Sequence, residues 1–599
     1  MYSSSSRREY SAISLGDGQG HYDNGKARRQ SCWRSWKRLS SLQRSILLVA
    51  TCLGIVAVVY LGPIIYHDIM GTEIDRMTRR KIGDGTGEGD SVTRKIVDFE
   101  EIRNNANKPI DQVAVDDWKK PKRGPPKNVR NRTKEHVQPD KMIITGPQNP
   151  RQRAVVEAFK HSWKGYKEYA WGRDELQPIS RSYSTWFGVG LTLVDSLDTM
   201  YIMGLKEEFE EAREWVANSL DFNINKDVNL FEITIRILGG LLSAYHLTKD
   251  TVFLNKAIDL GDRLLPCFDK RSGVPFSDVN LKSGYAHAPK WGPDSSTSEV
   301  TTIQLEFKDL SRITGDHKYE EATDSVAQHV HELPKKDGLV PYFINANTGR
   351  FRQGGTLTFG ARADSYYEYL LKQWLQTGKT NDILKSDYLE AVVGMEKHLL
   401  RESEPNKLTF IGELIGGHSF SPKMDHLVCY FAGTLALGAV NECPSEHLNL
   451  ARRLTKTCYE MYAQMPTKLS PEIAHFNMIP GVKEDLIIKG ADSHNLQRPE
   501  TVESLFYMYR LTGEQQYREW GWKIFEAFEK HTKVPGGGYT SIHNVKDAQN
   551  PRPRDKMESF WLGETLKYFY LLFSDDESLL PLDKYVFNTE AHPLPIYTS

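Results

Sequence analysis

Apolar residues recur with helical spacing from about residue 150 to the C-terminus. One unit repeats there, an apolar-periodic helix, a short turn and a more polar amphipathic helix, and we count seven such units. Four of the turns read LTKD at 247–250, ITGD at 313–316, QTGK at 376–379 and LTGE at 511–514. We expect the first helix of each unit to face inward and the second to face solvent. The pattern predicts an all-α fold over 149–599. An open superhelix of helix pairs is the structural alternative, but the residues at the starts of the first helices favour a closed (αα)7 toroid.

A different hydrophobic pattern lies near the N-terminus. Residues 46–66 read ILLVATCLGIVAVVYLGPIIY, which is 21 residues without a charge. At 1.5 Å per residue a helix of this length reaches about 31 Å, enough to cross the roughly 30 Å hydrocarbon core of a bilayer. Residues 1–44 carry nine Lys/Arg against three Asp/Glu, so the positive-inside rule keeps the tail, 1–45, in the cytoplasm. We therefore predict a single-pass type II signal anchor at 46–66.

Residues 67–148 are predicted to form a largely disordered lumenal stem. They are rich in Gly, Lys, Asp and Pro, include KKPKRGPPK at 119–127 and show no sustained apolar period. The basic run is compatible with contact to acidic lipid or to a partner, but a solvated linker is the favoured interpretation. Asn131 begins the chain's one N-x-S/T sequon, and we predict that it is glycosylated in the lumen.

Composition excludes some classes of function. The 599 residues carry a net charge of −1, which gives no electrostatic case for nucleic acid or for a strongly acidic substrate. Aromatic residues make up 11% of the chain and suit a thick core and a sugar-stacking surface equally. The six cysteines form no CxxC pair, which argues against a zinc or redox motif. Four of them follow the anchor and can form one or two disulfides in an oxidising compartment.

Acidic residues occur at matched positions near the starts of several inner helices. They precede the turn threonine of their helix by 16, 15, 13 and 12 residues, at Glu232, Glu299, Asp364 and Glu500 respectively. Arginines accompany them at Arg236, Arg362 and Arg498. In the stretch RPETVES, Pro499 suits the first position of a helix, and Glu500 and Glu503 then lie on one side of its first turn. One acid at a helix start is ordinary capping chemistry, whereas several at one height in a toroid would converge at one mouth.

Converging carboxylates suit acid–base catalysis. Like charges raise some pKa values while arginines and helix N-termini hold other groups ionised, so one site can contain a general acid and a general base. Two carboxyls with room for a water between them are what inverting glycoside hydrolysis requires. Thr589 and Glu590, in a polar segment after the last helix, are predicted to plug one end of the barrel and to offer oxygen ligands to a hard cation such as Ca²⁺. His426, at another inner-helix start, is by itself more typical of a packing residue.

Six stretches of residues 150–599 together resemble glycoside hydrolase family 47, the class I α-1,2-mannosidases. They are FEITIRILGGLLSAYH, GARADSYYEYLLKQW, KMDHLVC, RPETVESLFY, KMESFWLGETLKY and FNTEAHPLPI. The resemblance implies an (αα)7 barrel and a calcium-dependent, inverting hydrolysis of terminal α-1,2-linked mannose on Man9GlcNAc2-type N-glycans. It also implies that the catalytic domain is monomeric and works in the lumen of the endoplasmic reticulum or the early Golgi.

The resemblance implies roles for individual residues. Glu232 is expected to be the general acid and Glu500 the base, while Asp364 is a third catalytic carboxylate that is either the true acid or tunes its neighbours. Thr589 is expected to bind Ca²⁺ through its hydroxyl and its carbonyl oxygen. The waters around the ion would be held by Glu299, Glu500, Glu503, Glu564 and Glu590.

The resemblance further assigns the surroundings of these groups. Phe560 is expected to stack on the sugar ring. Three residues are expected to line the approach, Arg236, Arg362 and His426, and Arg498 completes the predicted substrate-binding set. Arg362 bears on specificity, because the endoplasmic reticulum type of the family carries arginine two residues before the aspartate. Cys429 and Cys458 match the disulfide pair of the family.

Two other kinds of protein compete with the hydrolase. A non-catalytic or weakly catalytic lectin-like relative would bind mannose glycans and mark misfolded glycoproteins for degradation. A helical-repeat scaffold would need no ring of acids and is disfavoured by it. Intact Glu232, Asp364, Glu500 and Thr589 favour the enzyme.

Overall fold

The computed structural model describes residue 142 and residues 144–268, 272–289 and 292–597. The predicted cytoplasmic tail, the anchor at 46–66, Asn131 and nearly all of the stem lie outside these described residues. Within the described residues, the helix Leu230–Thr248 is the one that is long and apolar enough to cross a membrane. Because 89% of its apolar window is buried inside the protein, it is a core helix of the fold.

The described helices form an inner ring and an outer ring of seven members each. The outer helices are Pro150–Tyr169, Lys206–Asn218, Thr251–Leu264, Lys318–Glu332, Asp382–His398, His447–Ala463 and Gln516–His531. The inner members are Leu191–Asp195 with Leu197–Ile202, Leu230–Thr248, Thr297–Thr301 with Gln304–Thr314, Asp364–Gln376, Tyr430–Ala439, Glu500–Thr512 and Leu566–Leu572. Each inner member contacts the next, and a π-helical turn at Trp561–Thr565 closes the last onto the first. The closed all-α toroid is thus confirmed, and an open superhelix is excluded.

The burial pattern of each helix explains which ring it joins. In the outer helix Lys318–Glu332 the buried residues are Tyr319, Thr323, Val326 and Val330, one stripe at helical spacing. In the inner helix Asp364–Gln376 every residue after Asp364 is buried. An inner helix is therefore covered on all sides, whereas an outer helix needs only one apolar face.

The repeated turn threonines end the inner helices in one way. The hydroxyl of Thr512 donates to the carbonyl of Met508 at 2.6 Å and accepts the N–H of Glu514 at 3.3 Å. Thr248 and Thr314 make the same pair of bonds in their own turns. Gly513 follows with φ of 71°, the left-handed conformation that commonly ends a helix. The turn signature is therefore a helix stop that also satisfies backbone groups.

The first described helix completes the seventh pair. Helix Pro150–Tyr169 precedes the first inner member in sequence but packs against the last one, Leu566–Leu572. Its N-cap, Asn149, accepts the N–H of Gln152 at 3.0 Å and donates to the carbonyl of Phe573 at 2.7 Å. The two ends of the toroid are thus joined by side-chain contacts.

The long loops contain short antiparallel sheets. The all-α prediction did not include these sheets. Two-stranded sheets pair Glu175–Gln177 with Ser182–Ser184, Leu400–Glu402 with Thr409–Ile411, Glu413–Ile415 with Ser419–Ser421, and Tyr585–Phe587 with Pro593–Pro595. Three-stranded sheets join Asp227–Asn229, Asp278–Asn280 and Ala286–His287; Asp294–Ser296, Phe343–Asn345 and Arg350–Phe351; and Lys423–Asp425, Ile473–Phe476 and Leu486–Ile487. One-turn 3₁₀ helices lie at Leu265–Phe268, His426–Cys429 and Gly490–Asp492.

A fully buried charge cluster joins the C-terminal hairpin to the inner ring. Lys567 Nζ lies 2.9 Å from Asp198 Oδ1 and donates to the carbonyl of Ala591 at 2.8 Å. His592 Nδ1 lies 2.8 Å from Asp198 Oδ2, and its Nε2 lies 3.2 Å from Asp195 Oδ1. Burial raises the pKa of Asp198, but Lys567 and His592 outweigh it and lower the pKa to about 2. The carboxylate of Asp198 therefore stays ionised at neutral pH, and the cluster fixes the hairpin between the first and last inner members.

We predict that Lys567→Met lowers the free energy of unfolding by about 3–5 kcal/mol, because it leaves the carboxylate of Asp198 buried without its ammonium partner. Urea unfolding of the purified protein measures the change. The control is Lys533→Met, whose partner Glu529 is partly exposed, and it should cost at most about 1 kcal/mol. Equal effects of the two changes would contradict the structural role of the cluster.

Candidate functional site

A cavity of about 360 Å³ opens where the inner helices begin. Twelve of the predicted site residues line it, namely Glu232, Arg236, Glu299, Arg362, Asp364, Arg498, Glu500, Glu503, Phe560, Glu564, Thr589 and Glu590. Asp364 and Glu500 are the first residues of their helices, and Glu232 and Glu299 are third in theirs. Pro499 stands at the N-cap of its helix, one position before the predicted one. The matched register therefore brings these acids to one mouth, as expected.

Glu500 is held from two sides. Its Oε2 lies 2.7 Å from Nδ1 of His426, and its Oε1 lies 3.8 Å from Nη1 of Arg498. The carboxylate of Glu472 accepts from Nε of Arg498 at 2.8 Å and forms an ion pair with the same guanidinium, which is therefore itself fixed. A carboxylate fixed in this way presents its remaining lone pairs to the cavity.

His426 does not line the cavity. It is buried behind Glu500, and its Nε2 lies 2.9 Å from the hydroxyls of both Tyr462 and Thr501. Placing it on the approach to the site is therefore incorrect, since the ring is covered by Glu500 and the helix His447–Ala463. It is a positioning residue for Glu500.

Glu232 and Glu590 share the guanidinium of Arg236. Nε of Arg236 donates to Glu232 Oε2 at 2.9 Å, and Nη1 bonds Glu590. Arg236 lies in a π-helical turn, Thr234–Leu238, and Glu564 lies in the other, Trp561–Thr565. A π turn inserts an extra residue into a helix and is common at functional sites. Here both π turns carry a charged side chain that lines the cavity.

Asp364 is a carboxyl whose proton is held near neutral pH. Burial raises its pKa to about 7, and the neighbouring charges of Glu368 and Glu500 add to the rise. Its backbone carbonyl accepts the hydroxyl of Tyr430 at 2.6 Å, and its Oδ1 accepts the N–H of Ser365 at 3.0 Å. Burial also raises the pKa of Glu299 to about 7, assisted by the charge of Glu232. The site thus contains carboxyls that can give up a proton near pH 7.

Thr589 sits at the tip of the C-terminal hairpin among acidic groups. Its hydroxyl donates to Glu368 Oε2 at 2.8 Å, and Glu368 Oε1 lies 2.5 Å from Nζ of the buried Lys372. Glu503 Oε1 lies 3.5 Å from the same ammonium. Burial holds the pKa of Glu503, Glu564 and Glu590 above the usual range of a glutamate. These acids are therefore crowded beyond what the nearby cations neutralise.

Phe560 and Arg362 form two parts of the wall. The ring centroid of Phe560 lies 5.7 Å from the guanidinium of Arg236 and 5.8 Å from that of Arg498. Arg362 lies 5.0 Å over the ring of Phe343 and donates from Nη1 to the hydroxyl of Ser296 at 3.3 Å. An aromatic face and fixed donors are suited to a sugar, which has an apolar face and hydroxyl edges.

The sequence analysis missed several cavity residues. Trp186 and Phe187 stack at 4.2 Å in the loop before the first inner member, and further lining residues are Asp227, Asn229, Asp278, His287 and Glu368. Glu368 could have been found, because it lies four residues after Asp364 on the same helix face. The loop residues gave no such signal, since the small sheets that carry them have no helical period.

The cavity lining is rich in oxygen donors and carries few cationic groups. Its charged groups are three arginines, Arg236, Arg362 and Arg498, and ten acids, Asp227, Glu232, Asp278, Glu299, Asp364, Glu368, Glu500, Glu503, Glu564 and Glu590. Oxygen ligands are those that Ca²⁺ prefers. In the described part of the chain, no group of three His, Cys, Asp or Glu is arranged to hold an ion directly. The lining thus offers oxygen donors of the kind that a hard cation needs, without a preformed set of three such side chains in the described residues.

The predicted disulfide is present. Cys429 and Cys458 are bonded with their Cα atoms 5.9 Å apart. The bond ties the segment that carries His426 to the outer helix that carries Tyr462. Cys267 and Cys443, the other two cysteines that follow the predicted anchor, are buried thiols, so one disulfide forms rather than two.

Acids at the mouth of a closed helical toroid, beside an aromatic ring and arginines, are groups of the kind that glycoside hydrolysis uses. Residues 158–596 match the model of Glycosyl hydrolase family 47. The chain is 50% identical to the human endoplasmic reticulum mannosyl-oligosaccharide 1,2-alpha-mannosidase over 99% of this chain and 93% of that protein. It is 49% identical to the rat enzyme of the same name, covering 99% and 98%.

A solved structure agrees with these sequence comparisons. The α-1,2-mannosidase from Trichoderma reesei superposes with a TM-score of 0.71 at 27% identity, over 76% of this chain and all of that one. The chain therefore belongs to glycosyl hydrolase family 47.

We predict that the metal-free protein loses stability as pH rises from about 5 to 8. In the folded protein the pKa values of Asp364 and Glu299 are about 7. In the unfolded chain they return to the ordinary values of 3.8 and 4.5. The folded state binds more protons across that interval, so stability falls as pH rises through it. Melting temperatures in a chelator at several pH values measure the effect.

The control for this pH series is Glu503→Gln, which removes one of the acids with a raised pKa. The melting temperature of this variant should fall less steeply with pH. A melting temperature that rises between pH 5 and 8 would contradict the electrostatics described for the cavity.

Proposed function

We propose that this chain hydrolyses terminal α-1,2-linked mannose from Man9GlcNAc2-type N-glycans, with inversion at the anomeric carbon and with Ca²⁺ as cofactor. The observation that carries the proposal is the convergence of Glu232, Asp364 and Glu500 on one cavity whose sequence context is that of family 47. The relatives named above act on mannosyl-oligosaccharides, and this chain matches them over nearly its full length.

Glu500 acts as the base in this proposal. Its carboxylate accepts a proton from the attacking water, while His426 and Arg498 hold it in position from behind and from the side. A group so fixed needs no reorganisation when the reaction occurs. The attack is directed at the face of the sugar ring opposite the leaving oxygen, which gives inversion.

Glu232 or Asp364 supplies the proton to the leaving oxygen. Asp364 has a pKa of about 7 and holds a proton where a lumenal enzyme works, which suits a general acid. Glu232 Oε2 accepts from Nε of Arg236 at 2.9 Å, so direct donation from this oxygen requires a change in that contact or an intervening water. The raised pKa of Asp364 supports Asp364 as the acid in this proposal.

Thr589 and the acids around it would hold Ca²⁺ in this proposal. The ion would orient sugar hydroxyls and the attacking water. The residues fit because their donors are all oxygen and because the acids outnumber the nearby cations. The C-terminal hairpin carries Thr589 and, in this proposal, closes the far end of the barrel through Asn588, whose amide donates to the carbonyl of Ile235 at 2.9 Å.

The chain is further proposed to work in the endoplasmic reticulum lumen, anchored by 46–66. The relatives are named for that compartment, and the disulfide is compatible with it. High-mannose glycoproteins are the proposed partners. A lectin-like relative would not require the fixed Glu500, so the enzyme is the better supported of the two.

We expect Glu500→Gln to lower mannose release from a Man9 glycan by about 10²–10⁴-fold, since the amide cannot accept the proton of water. Chromatography of released mannose measures the rate. NMR of the first product should show β-mannose, because the reaction inverts the α-linkage.

The matched control for the loss of the base is Glu526→Gln on an exposed outer-helix position, which should leave the rate unchanged. If the unaltered chain binds the glycan and releases no mannose, the lectin alternative is correct. If the first product is α-mannose, inversion is wrong.

We expect Ca²⁺ to raise the melting temperature of the chelator-treated protein and to restore mannose release. Thr589→Val should lose most of both effects, because valine has the shape of threonine without its hydroxyl. Differential scanning calorimetry with added CaCl₂ gives the first readout, which does not depend on activity.

The control for the metal experiment is Thr512→Val, whose hydroxyl ends the inner helix Glu500–Thr512 at the end away from the cavity. It should lower stability slightly and keep the full response to calcium. An unchanged rate after chelation would show that calcium is not the cofactor.

A further inference from the structure

Arg362 reaches the cavity from an unfavourable backbone conformation. Its φ is 76°, in the left-handed region that costs a non-glycine residue of order 1 kcal/mol. Such a residue persists where the surrounding structure holds it in place. The turn at 358–362 that carries Arg362 therefore needs a support that is strong enough to keep this conformation.

A cluster of three charged residues supplies that support. Nζ of Lys423 lies 2.9 Å from Glu413 Oε1 and 2.8 Å from Asp425 Oδ1. Both carboxylates are buried, whereas the side chain of Lys423 is 26% exposed. We call these three residues, Glu413, Lys423 and Asp425, the clamp.

Each carboxylate of the clamp holds a different part of the turn. Asp425 Oδ2 accepts the backbone N–H of Ala361 at 3.2 Å. Glu413 Oε1 accepts the hydroxyl of Thr358 at 3.2 Å, and that hydroxyl accepts the N–H of Gly360 at 2.9 Å. A Cβ on Gly360 would lie 2.5 Å from Asp425 Oδ2, so the contact requires glycine. The clamp thus fixes the residues just before Arg362.

The turn also contacts residues that form the wall of the cavity. The carbonyl of Arg362 accepts the N–H of Ser298 at 2.9 Å, and the guanidinium contacts Ser296 and Phe343 as described above. The carbonyl of Gly360 accepts the N–H of Asp364 at 3.0 Å, so the same turn begins the helix of the catalytic carboxylate. A movement of the turn by a fraction of an ångström would therefore displace the donors of Arg362.

We propose that the clamp is a positioning device for Arg362 and so sets which terminal mannose of a branched glycan is cut first. The inference rests on the proposed function and adds residues to it that lie outside the cavity. In this proposal Arg362, which lines the cavity, presents its donors to sugar units beyond the one being released, and the clamp keeps those donors in one place. Glu413 and Lys423 are positioning residues, since neither lines the cavity.

The clamp is best tested away from Asp425. The next residue, His426, contacts Glu500, so a change at Asp425 would disturb the base as well. Glu413→Gln and Lys423→Met remove charges from the two clamp residues that do not adjoin His426 in the sequence. Thr358→Val removes only the hydroxyl between Glu413 and Gly360, and serves if a charge-changing variant folds poorly.

We expect each variant to lower the initial-rate ratio between the first-cut mannose of a Man9 glycan and the other terminal mannoses by about tenfold, the worth of one well-placed hydrogen bond to a charged group. The KM for Man9 should rise while kcat is unchanged, because Arg362 binds the ground state and the transition state alike. The kcat/KM for α-1,2-mannobiose, which has no branches to select, should stay within about twofold. Isomer-resolved chromatography of the Man8 products measures the ratio.

A double-mutant cycle separates positioning from general damage. Arg362→Leu alone should relax the ratio in the same way, and adding Glu413→Gln to it should have no further effect. The control is Lys379→Met, which breaks an exposed pair with Glu442 and should leave the ratio as it is.

The outcomes distinguish the inference from the proposed function. An unchanged product ratio in the variants, an additive effect in the cycle, or equal cutting of all branches by the unaltered enzyme would overturn the clamp and leave the mannosidase standing. Absence of mannose release from the unaltered enzyme would overturn both.

Discussion

Crowding of buried carboxylates at one end of a helical ring is the constraint on which this structure depends. Seven inner members begin around one cavity, and their first turns bring acids together away from water. Each acid would be costly there alone, because burial favours the neutral form. The structure offsets that cost with helix N-termini, with arginines such as Arg236 and Arg498, and with protons kept on carboxyls such as Asp364. The same ionised and protonated carboxyls are the groups that the proposed acid–base catalysis uses.

The supports of the site come from elements that are distant in sequence. His426 and Tyr462 stand behind Glu500 and are tied together by the Cys429–Cys458 disulfide. The C-terminal hairpin brings Thr589 to the acids and is fixed by Lys567 and Asp198. The catalytic geometry is therefore inseparable from closure of the toroid, because the first and last inner members share one charge cluster.

Two residues show the difference between what the position in the sequence reveals and what packing in the fold decides. Glu368 lies one turn after Asp364, so a reader of the helical period could have placed it in the cavity. His426 also stands at an inner-helix start, yet the helix His447–Ala463 and Glu500 cover it. Spacing along a helix gives the face on which a residue lies, but the depth at which its side chain ends depends on the neighbours that pack against it.

The sequence by itself determined the helical repeat, the turn threonines, the register of Glu232, Glu299, Asp364 and Glu500, and the family. These follow from local periodicity and from motifs, which neighbouring residues along the chain encode. The tertiary structure decided which acids keep their protons, which residues stand behind the base, and how the loops between helices support Arg362. Those properties depend on burial and on pairs of charges far apart in sequence, such as Glu413 with Lys423 and His592 with Asp198, and only the closed fold brings such pairs together.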